Sequence, residues 1–159
     1  MSDFHLLLKG QILSLVRHAS ALTRDPDQAG GLVEDTVREA LASQRDWRLG
    51  SDFRVWLLSI MYDQRHNPFR ISTPAVNESG AVPDQALLTL TALDHAMGQL
   101  TEEQRAVILL IGLERLTYDA TAAVLRIPIG TMRTRLSNGR EALRRALGST
   151  EEVFIANAA

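Results

Sequence analysis

Six arginines, Arg126, Arg133, Arg135, Arg140, Arg144 and Arg145, stand within residues 126–145 against a single acid, Glu141. The 159-residue chain carries 17 basic and 19 acidic residues, a formal charge of −2. A basic cluster inside an acidic chain has the composition of a local phosphate-binding patch, not of bulk attraction to nucleic acid. At about 100° per helical residue, Ile129, Met132, Leu136, Leu143 and Leu147 fall on one side of this segment. Thr131, Thr134, Asn138, Glu141 and Arg145 fall opposite, with Arg133, Arg135 and Ser137 on the flanks. Short hydroxyl and amide groups can hydrogen-bond base edges, and flanking guanidiniums can hold phosphates. The plainer alternative is a solvated helix face, but such a face more often carries Glu/Lys pairs.

Reading a major groove requires a particular pair of elements behind those side chains. Thr117 opens a short helical pattern over 118–125, Arg126-Ile127-Pro128 forms a tight turn, and a second helix runs from 129 to about 147. This is the layout of a helix-turn-helix, whose second helix enters the groove while the first lies behind it. Upstream, Thr101 and Gln104 have the spacing of a capping box ahead of the apolar run 106–113. A further helix is expected over 85–98. The first part of the chain shows three helical patterns. They cover 3–23, then a stretch capped by Asp25 that runs to about Arg45, then one capped by Asp52 that stops before Pro68. Residues 71–84 are polar and rich in Ser, Pro and Gly, as a linker is.

The expected fold is therefore all-α, with two small helical domains at 1–70 and 85–148. A flexible linker at 71–84 joins them, the second contains the helix-turn-helix, and Gly148 closes the last helix ahead of a loose tail at 149–159. Domains of this size bury little on their own, so marginal stability or mutual packing is expected.

Catalysis has little to work with. The absence of cysteine removes disulfides, thiol nucleophiles and thiolate metal sites, and fits a reducing cytoplasm. His5, His18, His66 and His95 lie on different elements without ligand spacing. Ser14, His18 and Asp3 form a set that any helical protein offers. Gly30-Gly31 lacks the Lys and Ser/Thr of a phosphate loop. No enzyme activity, metal or cofactor is expected. No apolar run approaches the roughly 20 residues of a membrane helix, and no secretory signal opens the chain, so membrane insertion is not expected.

Several stretches resemble a known family. Leu100-Thr101-Glu102-Glu103-Gln104-Arg105-Ala106-Val107-Ile108-Leu109-Leu110 is similar to the start of the fourth conserved region of extracytoplasmic-function (ECF) sigma factors. Residues 116–125 (LTYDATAAVL), 127–136 (IPIGTMRTRL) and 140–143 (REAL) resemble the helix-turn-helix that reads the −35 promoter element. In the first half, 22–29 (LTRDPDQA), 32–36 (LVEDT) and 53–60 (FRVWLLSI) resemble the second conserved region. The first region is worded most like the general-stress subgroup of alphaproteobacteria.

The resemblance implies a protein that joins core RNA polymerase, brings it to promoter DNA and helps melt the duplex, under the control of an anti-sigma factor. Glu34 and Asp35 would face the polymerase. Trp47, Arg48 and Ser51 would line the loop that captures a flipped −10 base, with Asp63 close to the same DNA. The −35 reader would comprise Thr131, Arg133, Thr134, Arg135 and Asn138, with Arg135 and Arg140 also suited to phosphate or to contacts within the domain. Trp47 equally suits a place in the helical core. Four features depart from the family pattern. Gly30-Gly31 replaces small or acidic residues, Asp63 replaces an Asn, Asn67-Pro68 stops a helix early, and Arg126 replaces the Gly of the turn. Two other readings accompany the first: a sigma-like mimic that binds an anti-sigma factor, and a stand-alone helix-turn-helix regulator.

Overall fold

The computed structural model describes residues 3–67 and 92–158, and every described element is helical. The expected linker at 71–84 and the start of the helix expected at 85 lie outside the described residues. In chain order the elements are α1 (Asp3–Thr23), α2 (Pro26–Ala42), α3 (Phe53–Arg65), α4 (92–98), α5 (Glu102–Ile108), a π turn (Leu109–Leu113), α6 (Tyr118–Leu125) and α7 (Ile129–Ala158).

Local chemistry sets the helix starts. The Asp25 carboxylate accepts from the backbone N–H groups of Asp27 and Gln28, and Pro26 supplies the first helical residue of α2. Asp52 caps α3 in the same way, through Arg54 and Val55. Thr101 and Gln104 form the expected capping box on α5. The helix ends differ from expectation in two places. α2 stops at Ala42, three residues short of Arg45, where the last residues before the 46–52 loop turn too tightly to stay helical. α7 does not stop at Gly148 but continues to Ala158. A helical Gly weakens a helix by about 1 kcal/mol without breaking it.

The apolar run 106–113 is not one regular helix. After Ile108 it widens into the π turn, in which the N–H of Glu114 bonds the carbonyl of Leu109 at 3.0 Å, and that of Leu116 bonds Leu110 at 3.0 Å. The extra residue per turn rotates everything after it.

One buried cluster joins both halves of the chain. Leu8, Leu15, Ala19 and Leu22 of α1 pack with Leu32, Leu57, Leu58 and Met61, and the same cluster takes in Ala106, Leu109, Leu110, Leu116 and Val124. A smaller cluster of Val107, Ala122, Met132 and Leu136 holds α7 against α5 and α6. There α5 and α7 approach so closely that a Cβ on Gly139 would lie 3.2 Å from Ile108 Cγ1 and 3.3 Å from Gln104 Cβ.

Candidate nucleic-acid interface

The α6–turn–α7 unit is built from its caps outward. The Thr117 hydroxyl accepts from the N–H of Ala120 at 3.1 Å and starts α6. Arg126 ends it in the left-handed region, at φ 54°, with its N–H bonded back to the carbonyls of Ala122 and Ala123. Pro128 leads into α7, where the N–H of Met132 reaches the Pro128 carbonyl at 3.1 Å. Met132 and Leu136 point inward and are buried. Helical geometry then turns Thr131, Arg133, Thr134, Ser137 and Asn138 outward, and all five are exposed.

These outward groups form a shallow surface between α6 and α7. The Arg133 guanidinium lies over the Tyr118 ring, 5.9 Å from its centroid, which pre-orients a cation beside the helix. Ser137, Asn138, Arg140 and Arg144 line the concavity next to it. The Thr134 hydroxyl donates to the Gly130 carbonyl at 3.0 Å, leaving its oxygen able to accept. Arg135 faces the other way. It is half-buried beside Glu103, 3.8 Å from that carboxylate, in the cleft against α3 and α5. The structure therefore groups Thr131, Arg133, Thr134 and Asn138 on one surface and separates Arg135 from them.

The second expected reader lies at the far end of α3. Trp47 is half-buried in an aromatic cluster, its ring centroid 5.0 Å from Phe53 and 6.1 Å from Phe4, with Trp56 adjoining. Its indole N–H is buried without a partner. Gly50 turns the loop at φ 100°. This presents Arg48 to solvent and leaves Leu49 88 % exposed. The Ser51 hydroxyl donates to the Arg48 carbonyl at 2.7 Å. Asp63 is outside this loop and accepts from Arg126 at 2.7 Å. On α2, Glu34 is exposed while Asp35 is only 7 % exposed, and Arg38 donates to both, at 2.7 and 2.8 Å.

A group of residues with no role in the sequence reading sits between the two halves. The buried Glu114 accepts from His18 Nδ1 at 3.1 Å and from Arg54 at 3.2 Å. His18 Nε2 lies 2.8 Å from the Tyr62 hydroxyl. Burial of Tyr62, with Glu102 and Glu114 nearby, raises its pKa and keeps the phenol protonated. Burial pushes the Glu114 pKa up, but the hydrogen bond from His18 and the charges of His18, Arg54 and Arg17 outweigh it and hold it below its ordinary value. No sequence signal pairs these residues, because His18 and Glu114 are 96 positions apart.

Comparison with known proteins follows the same division. Residues 90–143 match the family described as sigma-70, region 4, and residues 8–62 match the Sigma2 domain of PhyR. The ECF RNA polymerase sigma factor EcfG of Rhodopseudomonas palustris is 27 % identical over 139 residues, covering 82 % of this chain and 77 % of that protein. The ECF RNA polymerase sigma factor SigC of Mycobacterium tuberculosis is 28 % identical over 133 residues, covering 77 % and 72 %. The sigma factor RpoE from Bartonella quintana, solved in complex with the anti-sigma factor NepR, superposes with a TM-score of 0.71 at 27 % identity. That match covers 93 % of this chain and 98 % of the other. Matched on both halves and over most of its length, the chain is similar to the extracytoplasmic-function group of RNA polymerase sigma factors.

Proposed function

We propose that the chain is an alternative sigma factor that binds core RNA polymerase and directs it to a particular set of promoters. It acts by binding, not by catalysis, and works in the cytoplasm where the polymerase is. The observation that carries this reading is the outward face of α7. Thr131, Arg133 and Asn138 are exposed on a helix whose opposite face is locked by Met132 and Leu136. In this reading Thr131, Thr134 and Asn138 address −35 base edges and Arg133 holds phosphate, while Arg135 supports the unit through Glu103. Arg48 and Ser51 would meet −10 DNA at the rim of the loop, with Trp47 as its aromatic wall. Glu34 would lead the docking on polymerase by charge steering, with Asp35 and Arg38 fixing its position. Among the described residues no helix is long and apolar enough to cross a membrane. We further propose an anti-sigma factor as regulator and a place near the general-stress subgroup. The RpoE–NepR neighbour supports the regulator.

A second reading is a sigma-like module that binds an anti-sigma factor without reading DNA. The match of residues 8–62 to a PhyR domain favours it. It leaves the exposed Thr131–Arg133–Asn138 face without a role. The discriminating experiment is promoter binding by the complex with core polymerase. Asn138→Ala should relax preference at one base pair, at a cost of about 1–3 kcal/mol. Arg133→Ala should weaken binding to all sequences and reduce the salt slope by about 1. Binding that does not distinguish a promoter from a scrambled duplex, and ignores both changes, would favour the mimic.

A further inference from the structure

The outward side of α1 is apolar. Its inner side, with Leu8, Leu15, Ala19 and Leu22, packs in the main cluster. Yet among the described residues five of the eleven exposed large apolar side chains also stand on this one helix. Leu13 is 77 % exposed and Leu6 62 %. Leucines gathered on one exposed face, rather than scattered singly, mark a surface that another molecule covers.

That surface is complementary to itself. At about 100° per residue, Leu6, Leu7, Leu13 and Ser14 surround Gly10. A Cβ placed on Gly10 would meet no atom within 4 Å. Asp3 and Arg17 lie on either side of Gly10 along the helix, within about 20° of its direction. At about 1.5 Å per residue, each stands roughly 10 Å from it along the axis. A second α1 laid antiparallel over the first, with a two-fold axis at Gly10, therefore sets Asp3 of each copy against Arg17 of the other. It sets Leu7 against Leu13 in both directions, as an isologous contact requires. A parallel copy would oppose Asp3 to Asp3 and Arg17 to Arg17. Both charges are exposed, and neither is held in a salt bridge among the described residues. Glycine weakens a helix interior, and nothing inside the chain needs one at position 10; at a crossing it lets two backbones approach closely. Beyond Arg17 the same side opens into an apolar groove walled by Ala21, Leu93, Met97 and Leu113. The N-terminal end of the crossing helix points along that groove.

We propose that the chain forms a reversible homodimer through α1. The two helices run antiparallel and cross at Gly10, with Leu6, Leu7 and Leu13 interleaved around the crossing and an Asp3–Arg17 pair at each end. One helix pair lies near the lower bound of about 1,000 Å² for a specific interface, so the dimer is weak and concentration sets its share. The dimer needs neither polymerase nor DNA, and so stands apart from the sigma-factor reading.

Sedimentation equilibrium of the full chain over a wide concentration range tests it. The mass should rise from 17.6 kDa toward twice that value and fall again on dilution. Leu13→Glu sets a charge among the leucines at an exposed position and should weaken association about tenfold or more, with an unchanged circular dichroism spectrum. Asp3→Arg and Arg17→Asp should each weaken it about fivefold or more, because both end pairs become like charges. Mixed in equal amounts, these two variants should associate as strongly as the starting chain, since each then meets its opposite. Should Arg17→Asp fail to fold, Leu13→Glu decides alone. A chain that stays at 17.6 kDa at every concentration would overturn the dimer. So would association that Leu13→Glu leaves unchanged, or folded charge variants that do not recover on mixing. A monomeric chain in which Leu13→Glu instead weakens binding to core polymerase or to an anti-sigma factor would give the face to that partner and overturn the dimer as well.

Discussion

Arg105 offers the most demanding test of how the two halves are joined. Its guanidinium is buried at 8 % residue exposure and donates to the carbonyls of Leu22 at 2.7 Å, Met97 at 3.1 Å and Leu100 at 3.1 Å. The Leu22 carbonyl lies at the end of α1 and would ordinarily accept from the N–H of residue 26, but that residue is Pro26 and has none. Arg105 supplies the missing donor from the other half of the chain. The Met97 carbonyl also accepts from the N–H of Leu100 at 3.3 Å, so it stays paired without Arg105. Arg105→Ala therefore orphans two carbonyls, Leu22 and Leu100, at about 1–3 kcal/mol each. The expected loss is about 2–6 kcal/mol, a large part of the 5–15 kcal/mol typical of a domain. Arg105→Lys reaches one carbonyl at a time and should lose about half as much. Urea unfolding followed in parallel by tryptophan fluorescence and circular dichroism measures both. Trp47 and Trp56 report only α1–α3 and its loop, so Arg105→Ala should also separate the two transitions. A loss under about 0.5 kcal/mol, with coincident transitions, would refute the reasoning.

Acid should weaken the same boundary. The Glu102 pKa is lowered chiefly by its hydrogen bond from Arg65, and the Glu114 pKa is lowered by His18 and Arg54 against the opposing effect of burial. Both contribute stability that is complete above the ordinary carboxylate pKa and is lost as pH falls through the depressed folded values, since the unfolded chain then binds more protons. The urea midpoint should fall steeply below about pH 4, and less steeply in Glu102→Gln. Two glycine substitutions should move stability in opposite directions. Gly10→Ala lies inside α1 with no atom within 4 Å of the new Cβ and should stabilise by about 0.5–1 kcal/mol. Gly139→Ala meets Ile108 and Gln104 across the α5–α7 contact and should destabilise by about 1–2 kcal/mol, because overpacking exceeds the helix gain.

The helices were legible where a stripe or a cap is local. Asp25, Asp52, Thr101 and Thr117 start the helices that the sequence assigns to them, and Met132 and Leu136 face inward as their spacing requires. The π turn was not legible, because a continuous apolar run hides a change of pitch. The orientation of Arg135 was not legible either. Its flank position allows groove or cleft, and only the placement of Glu103 decides between them. Asp63 and Arg126 stood out singly as departures, but nothing in a linear chain pairs residues 63 positions apart. The Glu114 cluster escaped for the same reason, since it exists only once α1, α3 and the π turn meet. On α7 the helix continues beyond Gly148 because one glycine does not outweigh the helical turns on either side.

The most direct test of the central claim is transcription by core RNA polymerase, with and without this protein, on the promoter upstream of its own gene. Transcript that requires both the protein and an intact −35 sequence, and that falls with Arg133→Ala, is the predicted result. A protein that neither binds core polymerase nor supports transcript would contradict the account.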